Sequence, residues 1–327
     1  QNFFGLADTA NSAPNSSTSM GTLNINSGIA TIGATSRFLV GNGGLGVVNV
    51  SAGQLNFIGN GSSIMLGGDS QYAHNGATGI LTVSGTGSVT VSTGSGGLRL
   101  GATAGVATGI TGTINLFGGT LTTSPGIVYA GDGVNSSGYV VFSGGTLRAG
   151  TNQAAFLQGL TAVTVSTNGA IIDDGGYKVT IGQSLITDPG LAGLDGGLKK
   201  LGAGTLVLTS SSSYTGNTVV SNGTLQVNGA LSASPVTVAS GATLGGSGNL
   251  GAAVVVNSGG MLAPGTNGPA TLTINSDLTL KGSLTIAVNK SLTASNSMTV
   301  VSGILINNGT GTVTVNNYGA DVVAGDT

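Results

Sequence analysis

Glycine opens a short alternating strand in this chain again and again, at nearly constant spacing. In the C-terminal half the strands are GTLVL at Gly204, GTLQV at Gly223, GATLGG at Gly241, GMLAPG at Gly260 and GSLTI at Gly282, in steps of 19, 18, 19 and 22 residues. Between them lie NTVVS from Asn217, PVTV from Pro235, AVVV from Ala253 and ATLTI from Ala270. Apolar residues take alternate positions: Leu206 and Leu208 share one face, Thr205 and Val207 the other. A period of two predicts strands with one face buried and one wet.

The N-terminal half repeats with a longer step. GTLNINSG at Gly21, GVVNVSAG at Gly46, GILTVSGTG at Gly79, GTINLFGG at Gly112 and GYVVFSGG at Gly138 are separated by 25, 33, 33 and 26 residues. A second short strand precedes each later copy: FLVG from Phe38, IMLG from Ile64, LRLG from Leu98 and IVYAG from Ile127. Repeat length varies in the loop that follows, as in GDSQYAHNGATG and GATAGVATGITG, so these loops are predicted to project from one edge of a stack.

One strand pair cannot bury its apolar face alone. Stacking such turns pairs each strand with its counterparts ~4.8 Å above and below, and lines up leucine and valine in interior columns. Composition agrees. Of 327 residues 62 are glycine, and all ten acids are aspartate, with no glutamate for exposed helices. The predicted fold is all-β, a parallel β-helix or β-solenoid of about 12 to 15 turns, a rod on the order of 60–70 Å long. The chain divides by repeat length into an arm or tether at 1–20, a loop-bearing solenoid at 21–190 and a tighter solenoid at 191–327, all one continuous rod.

Composition also removes function classes. Without cysteine there is no disulfide, thiolate nucleophile or Cys-based metal site. A net charge of −2 provides no basic footprint for nucleic acid, and no apolar run reaches the ~20 residues of a membrane span. GNGGLG is not a phosphate loop, because no Gly-Lys-Ser/Thr occurs and no helix follows. The chain begins with Gln1, which predicts a removed signal peptide and an extracellular protein.

Candidate reactive residues are few. Asp173 and Asp174 are the one adjacent acid pair. Neighbours on a strand point to opposite faces, so the pair reads as a turn capped by aspartates before Gly175 and Gly176, rather than a glycosidase or lyase site. His74, with Asp69 and Tyr72, reads as a loop residue, since one histidine and one acid make neither a triad nor a zinc site. Asp69 and Asp132 open two equivalent loops; calcium is the alternative to structural turns there. Lys199 and Lys200 read as solubilising one exposed edge. No catalytic residue, cofactor site or metal site is predicted. Aromatics make up only 4% of the chain and tryptophan is absent, which weakens a carbohydrate-binding groove.

The stretch LKKLGAGTLVLTSSSSYTGNTVVSNGTLQVNG, residues 198–229, closely resembles the autotransporter-associated β-strand repeat. Its Lys-x-Gly-x-Gly-Thr-Leu opening is Lys200, Gly202, Gly204, Thr205 and Leu206; its centre is Tyr214, Thr215 and Gly216; its close is Gly223, Thr224 and Leu225. The resemblance implies a single-stranded right-handed parallel β-helix outside a bacterial cell of Gram-negative type, with no catalytic residue. No membrane barrel follows in this sequence, and the final GADVVAGDT resembles the start of a closing segment.

The functional expectation is a secreted structural protein, a surface fibre, filament or sheath formed by head-to-tail stacking of copies of itself. The alternative is a monomeric adhesin or stalk whose loops bind a receptor or a cell-surface or matrix polysaccharide. A β-helix carbohydrate enzyme is the least favoured reading. Phe3, Phe4 and Leu6, tethered by a Ser/Asn/Pro segment, either cap their own rod or reach a neighbouring subunit.

Overall fold

The computed structural model describes residues 2–6, 19–33, 36–58, 63–68, 75–92, 97–101, 108–129, 136–265, 268–293 and 296–320. Among these every regular element is a strand, and the strands named below pair in parallel. The chain coils around three faces in fixed order. The first face is a ladder of thirteen strands, from Asn2–Leu6 to Val313–Asn317, which enclose twelve full turns. At ~4.8 Å per turn the rod is on the order of 60 Å long. The architecture is a parallel β-solenoid.

The repeats seen in the sequence are successive courses of this stack. Phe38, Ile64, Leu98 and Ile127 lie in register on the first face. Farther along the same face come Thr205–Leu208, Thr224–Val227, Thr243–Gly246, Met261–Pro264 and Ser283–Val288, each paired with the next. The longer N-terminal repeat forms the second face. There Gly21, Gly46, Gly79, Gly112 and Gly138 stand in one column. That column needs glycine for space: a Cβ on Gly79 would sit 2.2 Å from the Val40 carbonyl oxygen and 2.3 Å from the Gly67 nitrogen. The backbone leaving the first face touches the backbone entering the second, so no side chain fits between.

The third face begins with Ile29–Ile32 and Gln54–Phe57 and continues through Ala170–Asp173 and Leu198–Leu201 to Leu305–Asn307. Two long strands, Thr78–Val91 and Thr111–Thr123, serve both second and third faces by bending between them. In the C-terminal half the second face shrinks to two-residue strands, Ser211–Ser212, Ala230–Leu231 and Asn249–Leu250. Here one sequence grouping is corrected. ATLTI looked equivalent to NTVVS, PVTV and AVVV. Those three form third-face strands, whereas Thr271–Ile274 pairs with Asn249–Leu250 on the second face. The third-face member of that turn is Leu278–Leu280. Alternation identifies a strand but not which side of the coil it joins.

The core runs the whole rod. Val48, Leu81, Ile114, Val140 and Val163 stack inside the second face, and Leu206, Leu225, Leu244 and Leu262 inside the first; all are buried. Each fully buried aliphatic side chain contributes roughly 1.5–3 kcal/mol. Val207, assigned outward, is also buried, flanked in register by Thr180 and Gln226. The backbone of Asn2–Leu6 pairs with Ser36–Val40, and Leu6 packs against the core. The arm's first strand therefore extends the first-face ladder. Tyr72, His74, Asp69 and Asp132 lie outside the described residues.

Candidate functional site

The ionisable side chains that stand out are those inside the rod, and they gather around residues 174–234. Strand Leu198–Leu201 alternates so that Leu198 and Lys200 point inward and Lys199 outward. This corrects the reading of both lysines as a solubilising edge: Lys199 is exposed, and Lys200 is fully buried. Its ammonium sits 2.5 Å from Asp174 Oδ2, with both side chains inaccessible. It also donates to the carbonyls of Gly202 at 2.7 Å, Asn222 at 2.7 Å and Gly204 at 3.1 Å. The other oxygen of Asp174 accepts from the amides of Gly176 and Gly204, both at 2.8 Å. Asp174, Gly204 and Asn222 belong to three successive turns, so one buried pair ties three courses together.

Burial holds the Lys200 ammonium below the usual lysine range, against the opposing hydrogen bond and charge of Asp174. Its three N–H donors are shared among four acceptors, three carbonyls and the Asp174 carboxylate. Gly202 completes the site. Its φ is +79°, and a Cβ there would fall 2.3 Å from Asp174 Oδ1 and 2.7 Å from Asp173 Oδ1. The adjacent acid pair divides as the strand period requires. Asp173 points outward to Arg148 at 3.4 Å, Asp174 inward to Lys200, and each caps a turn amide two residues on. The Oδ1 atoms of both carboxylates lie close to Gly202, and there each is engaged by its own turn amide.

A second knot occupies the corner between the second and third faces. Asp195, 5% exposed, accepts five hydrogen bonds. They come from Thr187 Oγ1 at 2.6 Å, the amides of Gly197 at 2.9 Å, Thr215 at 2.7 Å and Gly216 at 2.8 Å, and Thr215 Oγ1 at 3.0 Å. Burial pushes its carboxyl up, but these donors outweigh it and hold the group below the usual aspartate value. Nearby, the buried Tyr214 hydroxyl lies 2.6 Å from Thr218 Oγ1, which lies 2.7 Å from Ser234 Oγ. Ser234 in turn donates to the Gly216 carbonyl at 2.6 Å. Burial raises the Tyr214 phenol well above its ordinary range.

These contacts give the repeat its physical meaning. Lys200, Gly202 and Gly204 build one knot; Tyr214, Thr215 and Gly216 build the other. The motif positions are inter-turn staples. Sequence reasoning missed Asp195, which lies just before the repeat and has no neighbouring acid or spacing signal to mark it. It missed the role of Lys200 because an adjacent lysine made the pair look like surface charge. Among the described residues no group of three or more His, Cys, Asp or Glu is placed to hold a metal, and no helix is long and apolar enough to cross a membrane.

Comparison with the curated proteins and with the solved structures gives no significant match. The family model that matches is the passenger-associated-transport-repeat, over residues 198–227. The matched segment contains Lys200 and the Tyr214-Thr215-Gly216 centre, so the staples of the rod are built on the passenger-associated-transport-repeat that this chain carries.

Proposed function

We propose that the protein is a secreted structural component of a bacterial surface, a rod that stacks head to tail with copies of itself into a fibre. The repeat and the parallel solenoid together are features of passenger-type surface proteins. The observation that carries the structural reading is the use of the buried polar groups. Asp174, Asp195, Lys200 and Tyr214 are each engaged by hydrogen bonds, and the two knots they form join successive turns. Their chemistry serves cohesion along the axis.

Stacking follows from the geometry of such a rod. Its top and bottom are different surfaces, so contact between copies in one orientation is heterologous and propagates. Parallel ladders offer backbone groups that a like ladder can pair, and a chain with 6% charged residues has little to repel its own copy. Phe3 and Phe4 are the residues assigned to the joint, while Leu6, on the same strand, packs on the rod's own core. Negative-stain imaging of the purified protein tests this. Uniform filaments are the expected result. Single rods on the order of 60 Å long at all concentrations would replace it with a stalk that carries its ligand-binding loops singly.

A further inference from the structure

We infer that the second face of the solenoid binds a neutral polysaccharide, with the ring of Phe117 as its stacking platform. The buried phenylalanines Phe38, Phe57, Phe142 and Phe156 lie in the core, whereas Phe117 is 46% exposed. It points outward at the end of a second-face strand segment, where the register against Thr78–Val91 shifts between Gly118 and Thr120. Its neighbours on adjacent turns are Ser84 on one side and Ser143 on the other. A partly exposed ring standing between serines is flanked by no other large side chain on the adjacent turns.

The adjoining outward column supplies polar groups. Asn24, Asn49, Thr82 and Asn115 stand in register, with the Asn49 amide donating to Asn24 at 2.9 Å and the Asn115 amide to Thr82 at 3.3 Å. A primary amide has two donors and an acceptor with two lone pairs, so a single ladder bond leaves each asparagine capacity toward solvent. Tyr139 is half-buried on the next turn, in register with Thr113, about 14 Å from Phe117 by strand geometry. Sugars present apolar C–H faces and equatorial hydroxyls, the two chemistries set side by side here. The rung spacing of ~4.8 Å is close to the length of one pyranose unit, so a chain lying along the axis meets a polar side chain on each of the four turns from Asn24 to Asn115 and the aromatic ring at the last of them.

Charge selects the ligand class. The strands Ser19–Ile25, Gly44–Val50, Thr78–Val91, Thr111–Thr123, Ser137–Phe142 and Ala162–Val165 contain no charged residue. A face without charge matches a neutral glycan and offers nothing to a polyanion. This inference does not depend on end-to-end stacking. The loops, named in the alternative reading as the ligand-binding element, take no part in it.

The test is affinity electrophoresis and pull-down with amorphous cellulose, a β-1,3-glucan and chitin, with dextran sulfate as the anionic control. The expected result is retention by at least one neutral glycan, no stronger retention by dextran sulfate, and about a tenfold loss of affinity in Phe117→Ala. Phe117→Tyr should restore binding and Asn115→Ala should weaken it. Phe117 lies outside the core, so an unchanged melting curve accompanies both Phe117 variants. No retention on any neutral glycan, or equal binding by Phe117→Ala, would overturn the inference. So would self-association that Phe117→Ala abolishes, which would make the face a contact between rods. Filament formation by Phe117→Ala, followed in parallel, keeps this result separate from the stacking proposal.

Discussion

At the scale of single residues, the decisive groups are polar and buried. Lys200 and Asp174 neutralise each other where neither could stand alone. Removing one partner of a buried pair strands the other and typically costs about 3–5 kcal/mol. Lys200→Met is therefore expected to lower the urea midpoint sharply, while Lys199→Met, one position away and exposed, leaves it nearly unchanged. Equal shifts in the two variants would show that the pair is not a staple. Asp195 gives a pH test. Its carboxyl is held below the ordinary value of 3.8, so the folded state binds the proton more weakly than the unfolded chain. Its contribution is complete above that ordinary value and is lost only as pH falls through the depressed native one. Wild type should thus exceed Asp195→Asn in thermal stability near neutral pH. The gap should close as pH falls past the ordinary value of 3.8 and through the depressed native one, measured as melting temperature against pH. A gap that persists in acid would assign the effect to packing.

At the scale of the strand, alternation decides which side of the coil a side chain joins. Leu225 is buried in a column between Leu206 and Leu244, whereas Thr224 is partly exposed between Thr205 and Thr243. Leu225→Asp places an unpaired charge in a narrow core and should cost several kcal/mol. Thr224→Asp should stay within about 0.5 kcal/mol of wild type. Circular dichroism melts of the two proteins distinguish them, and similar melting temperatures would refute the assigned faces. The two-residue strands of the C-terminal second face show the limit of this logic. Ala230–Leu231 and Asn249–Leu250 are too short for a period to appear. Their pairing comes from the turns before and after them.

At the scale of the whole molecule, the rod is a one-dimensional stack in which each turn contacts its neighbours. Removing residues 1–10 deletes the strand Asn2–Leu6 and its pairing with Ser36–Val40, yet leaves every later course intact. The expected outcome is a folded rod with weakened polymerisation. Fully burying one phenylalanine contributes roughly 1.5–3 kcal/mol, and each ~1.4 kcal/mol changes affinity tenfold. Electron microscopy and sedimentation of the truncated protein check this. Filaments of normal length and stability would place Phe3 and Phe4 outside the joint.

Sequence alone determined the course of the stack. Glycine spacing and period-two alternation are local properties, and Gly46, Gly79 and Gly112 fell into one column because each turn repeats the same backbone demand. The Asp173–Asp174 division was equally legible, since adjacent strand residues must face opposite ways. Only the tertiary structure decided what the inward groups meet. Asp174 reaches Lys200 across 26 positions of chain and Asp195 reaches Thr215 and Gly216 across 20 and 21, distances that coiling sets and that no local pattern records. Coiling likewise made Lys200 a core residue beside an exposed Lys199. Burial is a property of the turn above and the turn below, and a lysine carries no mark of which it will have.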